Sequence, residues 1–379
     1  MNATFSPGLE GVVAAQTRLS SVDGLAGELI IAGFPLEELA DKATFEEAVY
    51  LLWNDALPNA KQLADFKANL AKYRALPPIA IEILREAAKL RLDGMDALRM
   101  AASTISLNVA GEANDDLSDA YALVASFPTI VAAYWRLLNG QTPIEPRADL
   151  GHAANYLYML TGETPTPERV RGMETYLNTV MDHGLNASTF TARVIISTGS
   201  DLVSAVVGAV GALKGPLHGG APGPALDMVF EIGSAENAEP YLRSKIERGE
   251  RLMGFGHRVY KVRDPRADVL SKAAEKLFTS GGDMALYELV QHVEKMAVHL
   301  LEEYKPGRNL QTNVEFYTAL LLHGLGLPTD LFTPTFAVSR AAGWIAHCFE
   351  QQSANRIFRP QSIYTGVKDR QWVAVEKRK

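Results

Sequence analysis

Three histidines stand where the chain turns beside glycine. They are His183 in Asp182-His183-Gly184, His218 between Pro216 and Gly219, and His257 directly after Gly254-Phe255-Gly256. A ring carried on such a turn can sit where backbone approaches a ligand closely. Imidazole is also the side chain whose ordinary pKa suits proton transfer near neutrality. One such histidine alone reads as an exposed loop residue. Three of them beside a basic window read as a site, although spacing does not show that they converge. The window runs from Arg251 to Arg266 and holds Arg251, Arg258, Lys261, Arg263 and Arg266 against Asp264 alone. The whole chain carries a net charge of -7. Nucleic-acid binding needs a broad basic footprint, so the local excess points to a small-anion site instead. His152, His292, His299, His323 and His347 fall on or near helical stretches and read as structural.

Other chemistries are poorly supported. The eight histidines and one cysteine contain no HExxH, no CxxC and no paired zinc-ligand spacing, so no metal site is expected. Lys214 is followed by Gly215 and not by Ser or Thr, so there is no phosphate-binding P-loop. Gly254-Phe255-Gly256 lacks the third glycine of a dinucleotide fingerprint. Cys348 lies among apolar neighbours and reads as a buried, inert thiol. A single thiol forms no internal disulfide, which suits a reducing compartment. No secretory leader is read in residues 1–11, and no apolar run of bilayer-spanning length appears, so a cytoplasmic location is expected.

The elements that must carry these residues are helical. Phe45, Ala48, Val49, Leu52, Trp53, Ala56 and Leu57 make a one-face apolar stripe, and Thr44 with Glu47 forms a capping box at its start. Thr166-Pro167 opens another helix, running toward Asp182 and stopping near Gly184. Helical periodicity recurs over 63–73, 79–90, 129–138, 284–304, 314–323 and 335–351. Residues 27–34 (GELIIAGF) are the best strand candidate, as a small hairpin, so the fold class is all-α. Residues 200–214 place Ser204, Gly208 and Ala212 on one face, which suits either a tightly packed core helix or a helix against its own copy in a dimer. Glycine and proline break the pattern at 215–223 and again at 328–334. The interval between them reads as a smaller domain, 218–334, inserted into a larger one formed by 1–217 and 335–379.

Together these residues carry a resemblance. GPLHGG at 215–220, GFGHRVYK at 254–261, Asp264-Pro265-Arg266, DHGLNAST at 182–189, GWIAH at 343–347, Arg359-Pro360 and Tyr364-Thr365-Gly366 are similar to the citrate synthase family. Residues 8–15 and 33–40 resemble it too, and the separated motifs keep one order over nearly the whole chain. The resemblance implies a large and a small helical domain and a homodimer with active sites in the interdomain cleft. It implies acetyl-CoA and oxaloacetate as substrates, with no tightly bound cofactor and no nucleic-acid or membrane partner. The family also includes 2-methylcitrate synthases, which use propionyl-CoA, and the synthase-like part of citrate-cleaving enzymes.

The resemblance further assigns roles. His218 is the donor to the thioester oxygen as an enolate forms, and His257 hydrogen-bonds and protonates the ketone oxygen of oxaloacetate. Arg266, Arg340 and Arg359 fall where the family places its carboxylate clamps, with His183 as a further contact. Lys261 and Arg263 are candidates for CoA phosphates, with a plain surface role the alternative for each. The base departs from the family pattern. Where members usually read Asn-Val-Asp-Phe-Tyr, this chain reads Asn313-Val314-Glu315-Phe316-Tyr317. Glutamate has nearly the same intrinsic acidity as aspartate but is one methylene longer, a reach difference of roughly an ångström. Three readings stay open: an adjusted working site, a preference for propionyl-CoA, or a weakened homologue that serves by binding. The first is favoured, because every other matched catalytic position is intact.

Overall fold

Helix starts follow the local chemistry of the chain. Thr44 Oγ1 accepts from Glu47 N at 3.3 Å while Glu47 Oε2 accepts from Thr44 N at 2.7 Å. This closes the expected box at the head of the Phe45–Asn54 helix. Thr166 caps Pro167–Val180, whose proline occupies the first turn, where its missing N–H costs nothing. The computed structural model describes residues 5–107, 116–219, 222–257 and 259–378. Arg258, Gly220 and Met1–Thr4, which figure in the motifs and terminus considered above, lie outside the described residues.

Sixteen α-helices and three short strands are present among the described residues, so the chain is all-α. The strands β1 (Ser20–Asp23), β2 (Glu28–Ile31) and β3 (Phe34–Pro35) form one antiparallel sheet in the order β1-β2-β3. The expected hairpin is therefore its second half. Ser20 pairs with Ile31 in the register, which carries the Ser20 hydroxyl to Asp182.

The Phe332–Ser353 helix is the spine of the larger part. It packs on Asp116–Leu138, Pro167–Val180, Ala187–Ser197 and Phe45–Asn54, and it buries Trp344 completely. The helix expected over 129–138 begins at Asp116 and passes through Pro128. That helix is long and apolar enough to cross a membrane by length and composition, but most of it is buried inside the protein. Its all-round apolarity is that of a core helix. Leu202–Leu213 packs on Ala187–Ser197, and a Cβ at Gly208 would lie 2.2 Å from Ile195 Cδ1. One face of the small-residue helix is thus a core contact within this chain. The helices Pro222–Ile232, Ala235–Glu247, Pro265–Thr279, Met284–Tyr304 and Val314–Gly324 pack mainly on one another. Pro265–Thr279 and Val314–Gly324 also meet Pro167–Val180, the helix that leads to His183.

Candidate active site

His183 follows the end of Pro167–Val180. Its Nε2 lies 3.1 Å from the Tyr260 hydroxyl, and its ring centre lies 6.0 Å from that of His257. Burial, with the Arg266 and Arg340 charges, holds its pKa well below the usual histidine value. Arg340 projects from the spine helix toward the same turn. Its Nε donates to Val180 O at 2.6 Å, and its guanidinium stands 4.6 Å from the Phe336 ring centre. It is buried, and no carboxylate lies within ion-pair distance among the described residues. Burial lowers its pKa to about 10, with the Asp182 charge acting in the opposite direction. Such a charge, with Nε spent on backbone and the rest of its fork uncommitted among the described residues, suits a carboxylate ligand.

His218 lies in the turn after Leu202–Leu213. Ser188 N donates to its Nε2 at 3.3 Å, and Ser188 Oγ stands 2.8 Å from the same atom. Trp344 Nε1 in turn donates to Ser188 Oγ at 3.0 Å. Nε2 is therefore the acceptor, and the neutral ring carries its proton on Nδ1. Burial, then the Arg340 charge, lowers its pKa to about 4, so it is neutral at physiological pH. It can donate a hydrogen bond without being an imidazolium.

His257 has the opposite tautomer. Its Nδ1 accepts from Val259 N and Tyr260 N, both at 3.1 Å, so the neutral ring bears its proton on Nε2. Arg266 Nη2 stands 3.4 Å from that Nε2. Two donors facing one space call for an anionic or carbonyl oxygen between them. Burial, then Arg266, lowers the His257 pKa to about 4. Arg266 is aimed by Asp264, which accepts from its Nε at 3.0 Å and its Nη2 at 2.8 Å.

Glu315 sits in the first turn of Val314–Gly324, where Asn313 Oδ1 accepts from its backbone N at 3.0 Å. Asn313 Nδ2 donates to Gly256 O at 2.9 Å, and Asn313 N donates to Gly254 O at 2.9 Å. These bonds fasten the helix head to the glycine turn before His257. A Cβ at Gly254 would lie 2.8 Å from Phe316 Cδ2, and its φ is +87°, so only glycine suits this position. Burial raises the Glu315 pKa to about 7, against the pull of Arg266. A carboxyl poised there can take up a proton near neutral pH. The Arg266 charge is felt at Glu315, His257 and His183, and that of Arg340 at His183 and His218. These shared charge effects, with the His183–His257 and His257–Arg266 contacts, put the six residues in one neighbourhood.

Three expected residues stand apart. Arg263 spends its donors on Asp268 and Glu294 and lies 5.7 Å from the Tyr317 ring centre, so its role is structural. Lys261 is exposed and its N–H donates to Gly24 O at 2.8 Å. Arg359 lies on the exposed C-terminal segment beside a groove of ≈ 970 Å³ shared with Arg18, Phe190 and Arg193, with no contact to the other site residues among those described. The segment after Ser353 is irregular apart from the 3-10 turn Val375–Lys377, and among the described residues nothing holds Arg359 against the cluster. Sequence reasoning missed Tyr260, Ser188 and Asp264. All three lie inside quoted motifs, but their work is buried hydrogen bonding, which spacing does not reveal. Among the described residues no metal-ligating cluster occurs.

Two neutral imidazoles with protons on different nitrogens, a carboxyl titrating near neutrality and two buried guanidiniums define an acid–base enzyme acting on a small carboxylate substrate. Comparison with known proteins gives the family. The model of "Citrate synthase, C-terminal domain" matches residues 8–361. "Citrate synthase 2" of Bacillus subtilis is 44% identical over 99% of this chain and 100% of its own length. A "2-methylcitrate synthase" of Shewanella oneidensis is 37% identical over 98% and 97%. The crystal structure of citrate synthase from Pyrobaculum aerophilum superposes with a TM-score of 0.89 at 39% identity, covering 98% of this chain and 95% of that one. A Thermoplasma acidophilum citrate synthase in ternary complex with carboxymethyl coenzyme A and oxaloacetate gives 0.87 at 30% identity, covering 99% and 100%. The chain belongs to the citrate synthase family.

Proposed function

We propose that this enzyme condenses acetyl-CoA with oxaloacetate and hydrolyses the resulting citryl-CoA to citrate and CoA. The observation that carries this reading is the pair of opposed tautomers around a carboxyl of raised pKa. Glu315 removes a proton from the acetyl methyl group while His218 Nδ1–H hydrogen-bonds the thioester oxygen, stabilising the charge that develops there. The enol carbon then attacks the ketone of oxaloacetate. His257 Nε2–H donates to the ketone oxygen as it becomes a hydroxyl. Arg266, Arg340 and His183 hold the carboxylates, and water finally cleaves the thioester. Lys261, which is exposed, is the better candidate for a CoA phosphate, because Arg263 is committed to Asp268 and Glu294.

Thiol release with acetyl-CoA, oxaloacetate and the purified protein tests the reading. Release dependent on both substrates is expected. Its absence while oxaloacetate still binds would favour a binding homologue. Faster release from propionyl-CoA would favour the 2-methylcitrate reaction.

The working unit is a homodimer in the cytoplasm. Exposed Phe5 and Val13 near the N-terminus, and Ile363, Tyr364 and Trp372 in the C-terminal segment, support a second copy covering these ends. Arg359 can serve as a clamp only if this segment reaches the site of another copy. Light scattering should give roughly twice the 41.2 kDa of one chain; a monomer at working concentration would remove Arg359 from the mechanism. The fold's single thiol is fully buried, in keeping with a reducing compartment. Residues 218–334 form the smaller domain in this reading. It closes on the larger to exclude water during enolisation and opens to release products.

A further inference from the structure

Arg340, Gly343, Trp344 and His347 stand at i, i+3, i+4 and i+7, on one side of the Phe332–Ser353 helix. The function above uses Arg340, and Trp344 through Ser188, and leaves Gly343 and His347 without a task. Both press on the turn that carries His183. A Cβ at Gly343 would lie 2.1 Å from Met181 O and 3.2 Å from Asp182 Oδ1, so the helix backbone rests directly on that turn. His347 Nε2 meets Asp182 Oδ1 at 3.0 Å, with both side chains fully buried.

The chain of contacts continues on either side. Arg193 Nε donates to His347 Nδ1 at 3.1 Å, so the proton of a neutral His347 sits on Nε2 and is donated to Asp182. Arg193 is held by Glu350 and by Gln351 Oε1 at 3.2 Å. The other oxygen of Asp182 accepts from Ser20 Oγ, which itself accepts from Gly184 N at 2.8 Å. The residues on both sides of His183 are thus tied to β1 and to the spine helix, and Arg340 is bonded to Val180 of the same segment.

We propose that Arg193, His347, Asp182 and Ser20 are positioning residues that fix the wall formed by His183 and Arg340, and so set affinity for oxaloacetate and not for the acyl-CoA. The inference rests on the proposed function for the identity of the ligand. His218 is held from Ser188, and Glu315 from Asn313, and among the described residues none of the four positioning residues bonds Ser188 or Asn313, so the acyl-CoA side has different direct partners. Buried polar chains of this kind act as units, because a donor or acceptor left unpaired inside the protein incurs its full desolvation penalty.

The test uses two substitutions that split the imidazole. His347→Gln keeps a donor near the Nε2 position for Asp182. His347→Asn keeps only an acceptor near the Nδ1 position for Arg193. Oxaloacetate affinity, measured by calorimetry on the full chain, should stay within about threefold of wild type in His347→Gln and fall about tenfold or more in His347→Asn. KM for acetyl-CoA at saturating oxaloacetate should move by less than about twofold in either. Ser20→Ala creates no core cavity, because Ser20 is only partly buried. It should weaken oxaloacetate by about three- to tenfold and serves if His347→Asn does not fold. Equal affinities in the two His347 variants, or parallel loss of both substrates, would overturn the proposal, as would unchanged oxaloacetate binding in Ser20→Ala. Wild-type protein that binds oxaloacetate without releasing thiol overturns the catalytic reading alone, and the ranking of affinities still decides this one.

Discussion

Glu315→Ala should lower turnover by about 10²- to 10⁴-fold while oxaloacetate still binds, because it removes the proposed base and leaves the carboxylate wall in place. The carboxyl must be ionised to act. Burial raises its pKa to about 7, so kcat/KM should climb as pH rises through that value. His218 and His257, both held near 4, stay neutral over the same range and add no limb of their own. In Glu315→Gln the residual rate should therefore be flat between about pH 6 and 8. Full turnover in Glu315→Ala, or an unchanged pH limb in Glu315→Gln, removes Glu315 from the mechanism. Glu315→Asp addresses the departure from the family pattern. If the site has adjusted to the longer side chain, shortening it misplaces the carboxylate and lowers kcat by up to about a hundredfold. A faster enzyme would mean that the site is still built for aspartate.

The largest loss of stability is expected at Asp264. This carboxylate is fully buried. It accepts from Arg266 N, Nε and Nη2 and from Val314 N. Asp264→Ala leaves the Arg266 guanidinium buried without its counter-charge and removes a support of the Glu315 helix head. Breaking a buried pair in this way costs about 3–5 kcal/mol. The urea midpoint should fall accordingly, and oxaloacetate affinity should fall with it because Arg266 loses its aim. A midpoint within experimental scatter of wild type would show that Arg266 finds another partner and that Asp264 does not orient it. Asp264→Asn keeps the shape and some acceptor capacity and should lie between the two.

Much of this was open to reading before any coordinates. The box at Thr44–Glu47 and the cap at Thr166 are local devices, satisfied within one helical turn, so composition and spacing reveal them. The boundaries of Met284–Tyr304 agree with the expected helix because its apolar stripe is continuous and both ends are polar. The 116–128 half of the Asp116–Leu138 helix lies outside the 129–138 stretch that periodicity picked out, and Pro128 stands between the two. In the structure that residue is buried within the helix, where packing outweighs the lost hydrogen bond. The Pro265–Thr279 helix is not among the stretches that periodicity picked out; its N-cap, Asp264, lies inside the basic window.

What the sequence determined by itself is the set of parts: three histidines beside glycines, the guanidinium and carboxylate side chains, an all-helical frame, and the substitution of glutamate at the base position. These are properties of residue type and short-range order. What only the tertiary structure decided is which parts meet. Long-range hydrogen bonds, Ser188 to His218 and Arg340 to Val180 among them, set the His218 tautomer and the aim of Arg340. The same packing spends Arg263 on Glu294, leaves Arg359 on the surface and places His347 behind the site. A side chain's reach and protonation depend on neighbours far away in sequence, through burial and partners that no local pattern encodes.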